Sequence, residues 1–484
     1  MLSRLAQHPA AQFAILLVVA LILRGDTFGD PNLHGDEVFY STVGIAMHHG
    51  ALPYVDIWDR KPLGLFLIFY LIAFISEAPL AYQLVATLFA AGTASAIATM
   101  ARQWTNLAGG LLAGAAYLLW LAPLQGFGGQ SPVFYNLFIA VAALLVLRAT
   151  PALRDGRVPP GVPVAMLVAG LGITIKTTAV VEAAFLGLWC CAALWRSGAG
   201  SRVLLRNAAA WALIGAAPAA MIALAYWAMG HWAEYWHAMF ASNLAKPPHW
   251  PTSLLRLKIM AIMLAPFLIV AAVALIRRGA TNRAFVLGWL VAAIGGLCIV
   301  PNFYLHYALP LLVPLCLAGA AFFGRGPLGF GAVVGIAAMS FSLAPPIEYD
   351  HAPRSRAAME RLEQAVRDHI GDGPLMIYDG PPQLHTRLGK PFLTPLVFPT
   401  HLSYLIEKDV SHLSTLGETR RALAQRPGAV VMAVTIRNGP VNEETHALVL
   451  AYVGRNCRPI AIVPTPERQR TDLIAVWGDC RGWT

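Results

Sequence analysis

Residues 35–71 read GDEVFYSTVGIAMHHGALPYVDIWDRKPLGLFLIFYL. Asp36 and Glu37 open a stretch whose apolar residues recur at helical spacing. After Gly50 come Asp56, Asp59, Arg60 and Lys61, and Pro62 then begins an uninterrupted apolar run. Proline suits the first turn of a helix, so the charged dipeptide Arg60-Lys61 stands at a loop–helix junction. Upstream, an apolar run over 10–23 ends at Arg24, which makes 24–61 a polar loop between two apolar segments. It holds six of the ten acidic residues found in 1–345: Asp26, Asp30, Asp36, Glu37, Asp56 and Asp59.

Apolar segments recur outward from this loop, near 10–23, 62–76, 79–101, 107–122, 132–148, 161–175, 178–195, 207–229, 258–276, 284–300, 305–323 and 327–345. A membrane span takes about 20 such residues. Of the 484 residues 57% are hydrophobic and 12% charged, whereas soluble domains carry about 25% charge. The expected fold class is therefore an α-helical polytopic membrane protein. A transmembrane module over 1–345 precedes a small extracytoplasmic α/β domain over 346–484. That last stretch holds 15 of the 25 acidic residues and no run long enough to span. Its expected strands are 374–378, 429–435, 459–463 and 472–477, and its expected helices 355–370, 414–426 and 442–454. The N-terminal run lacks a small-residue cleavage site and reads as a first span, not a cleaved signal.

The formal charge of +10 does not mark a nucleic-acid binder. Arg102, the Arg148/Arg154/Arg157, Arg196/Arg202/Arg206 and Arg277/Arg278/Arg283 groups, and Arg325 occupy every second loop, in phase with Arg4. That is the footprint of membrane orientation. It puts the N-terminus in the cytoplasm, and loop 24–61 with the C-terminal domain on the far side. The phase requires about eleven net crossings, so 62–101 crosses once although it holds two apolar runs. One of these lies in the interface or is re-entrant.

Within loop 24–61, Asp26 and Asp30 read as solvated positions. Asp36-Glu37 differs, because the segment after it is amphipathic and lies along the membrane surface. A carboxylate held at an apolar boundary gains basicity and can take a proton from an attacking hydroxyl. Arg60 and Lys61 are either interfacial anchors or phosphate ligands at headgroup depth. Lys176 sits between two apolar runs, and its alternatives are a functional site or an ion pair with Glu182. Loop 230–257 reads as an aromatic belt or as a flap over a lipid, with Glu234 and Lys246 as polar contacts. A divalent metal ion on His34, Asp36, Glu37 and His48 or His49 matches no known ligand spacing. Cys190, Cys191, Cys298 and Cys316 lie in apolar runs and read as packing residues. Cys457 and Cys480 flank the last two expected strands, and a hairpin centred near Arg468 pairs them as a disulfide.

The quoted segment resembles the first external loop of bacterial membrane glycosyltransferases of the GT-C superfamily. The branch is that of the protein O-mannosyltransferases and the aminoarabinose transferases of lipid A. Its pattern is an acidic pair after the first helix and then G-x-x-P-Y-x-D-x-W-D-x-K-P-P. Leu63 stands here in place of the second proline. GITIKTTAVVE (172–182) and NFYLHYALPLLVPLCLAGA (302–320) agree as well. The resemblance implies an inverting transfer from a polyprenyl-phosphate-linked sugar, in the bacterial inner membrane and on its periplasmic side. It makes Asp36 the base or metal ligand, with Glu37 beside it. It sends Lys61, Lys176, His306 and Tyr307 to the donor phosphate. The alternatives are a transporter or flippase of lipids or lipid-linked sugars, and a non-catalytic acceptor-binding scaffold.

Overall fold

The computed structural model describes residues 8–245, 248–276, 280–345, 348–436, 439–468 and 470–480, with backbone alone at 280–282. Arg4, Arg277 and Arg278 of the orientation pattern lie outside them. The chain is a polytopic helical protein with a small C-terminal sheet. It divides into two compact units. The first comprises Met1–Gly25, Leu84–Ile222 and Pro248–Ile347, and the second Asp26–Gln83, Ala223–Pro247 and Glu348–Thr484. The sequence boundary at 345/346 kept the first loop with the membrane module, whereas by its contacts that loop groups with the C-terminal domain.

Each of the twelve apolar segments forms a helix. Seven are long enough to cross a membrane and five are shorter. Leu63–Ala73 has only 11 residues, about 16 Å at 1.5 Å per residue, against a hydrocarbon core of about 30 Å. It belongs to the second unit, which accounts for the extra run within 62–101. In the first unit, Leu309–Phe323 is the central helix and is buried nearly all round, as expected of a segment apolar on every face. It packs on Leu107–Trp120, Ser131–Arg154, Trp250–Leu275 and Ala280–Ile299. Ser201–Ala228 instead leaves Leu213, Met221 and Leu224 exposed, a surface suited to lipid.

The second unit is built on four strands: β1 (Leu375–Asp379), β2 (Ala429–Ala433), β3 (Arg458–Glu467) and β4 (Arg470–Gly478), in the order β1-β2-β4-β3. β1 and β2 are parallel, and β4 is antiparallel to β2 and β3, with Val431 opposite Val476. Helix His351–His369 covers one face through Met359, Leu362 and Val366. β3 runs well past the expected 459–463 despite Pro459, Pro464 and Pro466. It is an edge strand, where a missing N–H costs no ladder bond on the open side. Cys457 and Cys480 are joined at the base of this hairpin.

Candidate active site

Asp26 and Asp30 are not solvated, contrary to the sequence reading. Their exposures are 3% and 0%, because the loop carrying them is docked on the C-terminal sheet. Arg468, at the β3–β4 turn, forms an ion pair with Asp26, and its N–H donates to the Leu33 carbonyl at 3.4 Å. His351 Nδ1 lies 2.9 Å from Asp30 Oδ2. Asn32 donates to the Pro466 carbonyl, Gln383 to that of Pro31 and Arg356 to that of Gly29. Buried charges persist when paired and hydrogen-bonded, so these contacts turn a polar loop into a fixed one. The Asp30 hydrogen bond holds the His351 imidazole above its usual pKa despite burial.

From this platform helix Gly35–His48 starts, capped by His34, whose Nδ1 accepts the Asp36 N–H at 3.2 Å. Asp36 and Glu37 occupy the first turn, where the helix dipole favours negative charge. The helix is not a surface amphipathic one. Glu37–Tyr40 and Thr42–Ala46 are all buried. Thr42 tolerates this by donating to its own Val38 carbonyl, and Gly44 lets the Leu63–Ala73 backbone approach. A Cβ there would meet the Phe69 carbonyl carbon at 2.6 Å. Phe39 and Tyr40 pack on Phe66, and Tyr40 on Phe69. His48 Nε2 is bonded to the Tyr70 carbonyl at the far end, three turns from Asp36. His48 and His49 therefore leave the expected metal set, and only His34, Asp36 and Glu37 stay on one turn.

Chain 52–62 returns to this turn. Tyr54 adopts φ 72°, uncommon for a bulky residue. It is held by its N–H to the Ile57 carbonyl, its hydroxyl to the Lys61 carbonyl, and packing against Tyr226 and Tyr235. Lys61 is thereby aimed inward. Its Nζ lies 3.7 Å from Asp36 Oδ1 and 3.5 Å from Asp59 Oδ1, and 5.3 and 5.6 Å from the ring centres of Tyr40 and Phe398. Burial lowers its pKa, but Asp59, Tyr40 and Asp36 outweigh that and raise it, so it stays protonated. Asp59 Oδ1 also accepts the Lys61 N–H at 2.8 Å. Arg60 does not share this site. It pairs with Glu407 at 2.9 Å and lies 5.7 Å from the Trp58 ring centre, which ties the loop to the C-terminal domain. Glu234 approaches His231 at 3.8 Å, on a segment whose Tyr235 packs on Tyr54 while Trp232, Trp236 and Phe240 are exposed. Lys246 lies outside the described residues.

The bundle unit has a cluster of its own. Helix Gly161–Ile175 stops at Lys176, and a short 3₁₀ turn, Thr177–Ala179, leads into Val180–Trp195. A helix C-terminus suits a cation. Lys176 Nζ sits 4.8 Å from the Tyr307 ring centre, and both line a small open cleft with Tyr135, Thr178, Glu182 and Leu297. Glu182 accepts from Trp289 Nε1 at 2.7 Å, so it has a partner other than the lysine. Tyr307 meets His306 edge-on at 4.8 Å, His306 stacks with Tyr304 at 5.8 Å, and Arg256 lies 4.2 Å from the Tyr304 ring centre. Lys176 thus meets Tyr307, and His306 packs against the same ring. Arg256 is not singled out by the sequence, where it stands at the end of loop 230–257 just before the apolar run.

Together these elements define a polytopic helical fold whose first loop groups with a C-terminal α/β domain. Two solved structures share it over nearly their whole length. One is ArnT from Cupriavidus metallidurans bound to undecaprenyl phosphate, with a TM-score of 0.62, 12% identity and coverage of 96% of this chain and 97% of that one. The other is the same protein in the apo state, at 0.63 and 13%, covering 97% and 98%. No family profile and no curated protein matches the sequence. The likeness therefore lies in the fold, and it agrees with the resemblance read in residues 35–71.

Proposed function

We propose that the chain is an inverting glycosyltransferase that moves a sugar from a polyprenyl-phosphate donor to an extracytoplasmic acceptor. The observation that carries this reading is the Asp36–Lys61 pair. A carboxylate on a helix N-terminus faces a half-buried lysine at 3.7 Å, and Asp59 lies 3.5 Å from the same ammonium. Asp36 takes the proton of the acceptor hydroxyl, the oxygen bonds to the anomeric carbon, and the bond from that carbon to the phosphate oxygen breaks. The electron pair leaves with the polyprenyl phosphate, whose added charge needs fixed cations. Lys61 supplies one, and its move to the phosphate frees Asp36 to act as base. On the bundle, Lys176, His306 and Tyr307 are assigned to the donor as well. Glu37, fully buried beneath Asp36, has a supporting role. The ArnT structure holding undecaprenyl phosphate supports a polyprenyl phosphate as the lipid partner.

Asp36→Asn tests the reading in membranes of a deletion strain, with the missing sugar on lipid A, glycan or protein as readout. General base catalysis contributes about 10²–10⁴-fold, so transfer should disappear while the protein stays folded. Transfer at the wild-type rate would return the chain to the flippase or scaffold class. Chelation decides on a divalent ion, for which His34 and Asp36 are the ligands on offer. The orientation has the N-terminus in the cytoplasm and 346–484 in the periplasm, and the Cys457–Cys480 bond supports it, since disulfides persist in oxidising compartments. A periplasm-dependent reporter should be active after the C-terminal domain and silent within 155–160, and the opposite pattern would reverse the assignment.

A further inference from the structure

His401 faces the Asp59 carboxylate at Oδ2, whereas Lys61 approaches Oδ1. It is 2% exposed, and neither ring nitrogen has a hydrogen-bond partner among the described residues. Its Nε2 lies 3.7 Å from Asp59 Oδ2, beyond a hydrogen bond but within reach of one. The ring is fixed edge-on against Trp58 at 4.8 Å and tilted against Phe398 at 5.2 Å, so it cannot turn to solvent. A buried imidazole with no partner is costly and calls for a reason. The charges around it are Asp59, Glu407, Arg60 and Lys61. Arg60 and Glu407 neutralise each other. What remains is one carboxylate, Asp59, whose cation is Lys61.

That cation is shared. Lys61 Nζ is nearly equidistant from Asp36 and Asp59, at 3.7 and 3.5 Å, and the proposed function sends it to a phosphate. Its departure leaves Asp59, 2% exposed, with the Lys61 N–H on one oxygen and His401 facing the other. An uncompensated buried carboxylate is unstable, and the imidazole 3.7 Å away is placed to answer it.

We propose that His401 takes up a proton when Lys61 turns from Asp59 to the donor phosphate, and so keeps Asp59 charge-balanced while the lysine works elsewhere. This rests on the reading of Lys61 as a phosphate ligand. The proton comes from solvent or buffer on donor binding and returns when the phosphate leaves and Lys61 swings back. No covalent bond is made or broken. His401 is a positioning residue, since it acts through Asp59 and Lys61. Its low resting pKa, pushed to about 4 by burial against the pull of Asp59 and Glu407, fits an imidazole that is neutral until the lysine moves.

The test is proton-linked calorimetry of undecaprenyl phosphate binding to the full chain in nanodiscs at pH 6.5, in two buffers of different ionisation enthalpy. His401→Gln and Asp59→Asn set the baseline contributed by the lipid phosphate itself. Wild type should take up close to one more proton per lipid than either variant. Uptake that survives His401→Gln overturns the inference. If that variant fails to fold, and so binds no lipid, uptake that survives Asp59→Asn overturns it instead. Wild type that binds the lipid with no uptake above baseline sinks the role of His401 and leaves the donor reading standing. Wild type that binds no lipid sinks the donor reading, and this inference with it.

Discussion

Arg468→Ala should loosen the loop that carries Asp36. The guanidinium and the Asp26 carboxylate are 7% and 1% exposed, and removing one partner of a buried pair costs about 3–5 kcal/mol, chiefly for the charge left behind. A second route bounds the effect. The orphaned Asp26 can escape by protonation, which at pH 7 costs about 1.4 kcal/mol for each of the roughly three pKa units below neutrality, or about 4 kcal/mol. Burial has already raised the Asp26 pKa despite Arg468, so the cost should fall at the low end, near 3–4 kcal/mol. That corresponds to roughly 10²–10³-fold faster exchange of the amides in 26–36 if they open as one local unit. Hydrogen exchange by mass spectrometry in nanodiscs reads this directly. Asp26→Asn in the Arg468→Ala background should restore most of the protection, because a neutral amide needs no cation. Exchange within twofold of wild type would show that the pair does not hold the loop.

Three further outcomes follow from the same geometry. Lys61→Ala should weaken use of the polyprenyl-phosphate donor by roughly ten- to a hundredfold, the loss of one charge-assisted bond of about 1.5–3 kcal/mol; unchanged donor dependence would make Lys61 a plain anchor. The raised His351 pKa means its contribution is full below about pH 6.5, the unfolded value, and is lost as pH rises through the folded one. The thermal midpoint should therefore fall on the alkaline side in wild type and be flatter in His351→Gln, as a pH series of melts will show. Cys480→Ser opens a link across 23 residues and should cost about 3 kcal/mol in the chain-entropy model, seen as earlier denaturation that reductant reproduces in the wild type.

What could be read beforehand was what chemistry leaves in local sequence. Acidic residues concentrated in one loop of an apolar chain single that loop out, and the structure brings Asp36 and Lys61 of its motif to 3.7 Å. The spacing of two strands about Arg468 was enough to pair Cys457 with Cys480. What escaped was set by partners distant in the chain. Nothing near Arg60 announces Glu407, 347 residues on, and nothing near Asp26 announces Arg468. From local sequence Asp26 and Asp30 therefore read as solvated, and Arg60 as an interfacial anchor or a phosphate ligand. The helix after Asp36 misled for a local reason. Thr42 looks polar but satisfies its hydroxyl on its own backbone, and Gly44 records a close helix contact that only the partner backbone reveals. His401 and Arg256 carry no signature at all outside the fold.

The distance along the chain between Asp26 and Arg468, 442 residues, has a consequence for how the protein is made. The loop bearing Asp36 is among the first segments to be synthesised, and the hairpin that supplies the Asp26 cation is among the last. During most of synthesis Asp26 has no counter-ion, stays hydrated or protonated, and leaves Asp36 without a fixed bearing. The nascent chain thus carries its first loop unanchored until the last strands are made. Arrival of the β3–β4 turn, with its base closed by oxidation of Cys457 and Cys480, ends that interval. A polypeptide stopped before the hairpin should leave residues 26–36 without the contacts that Arg468 and Pro466 give them.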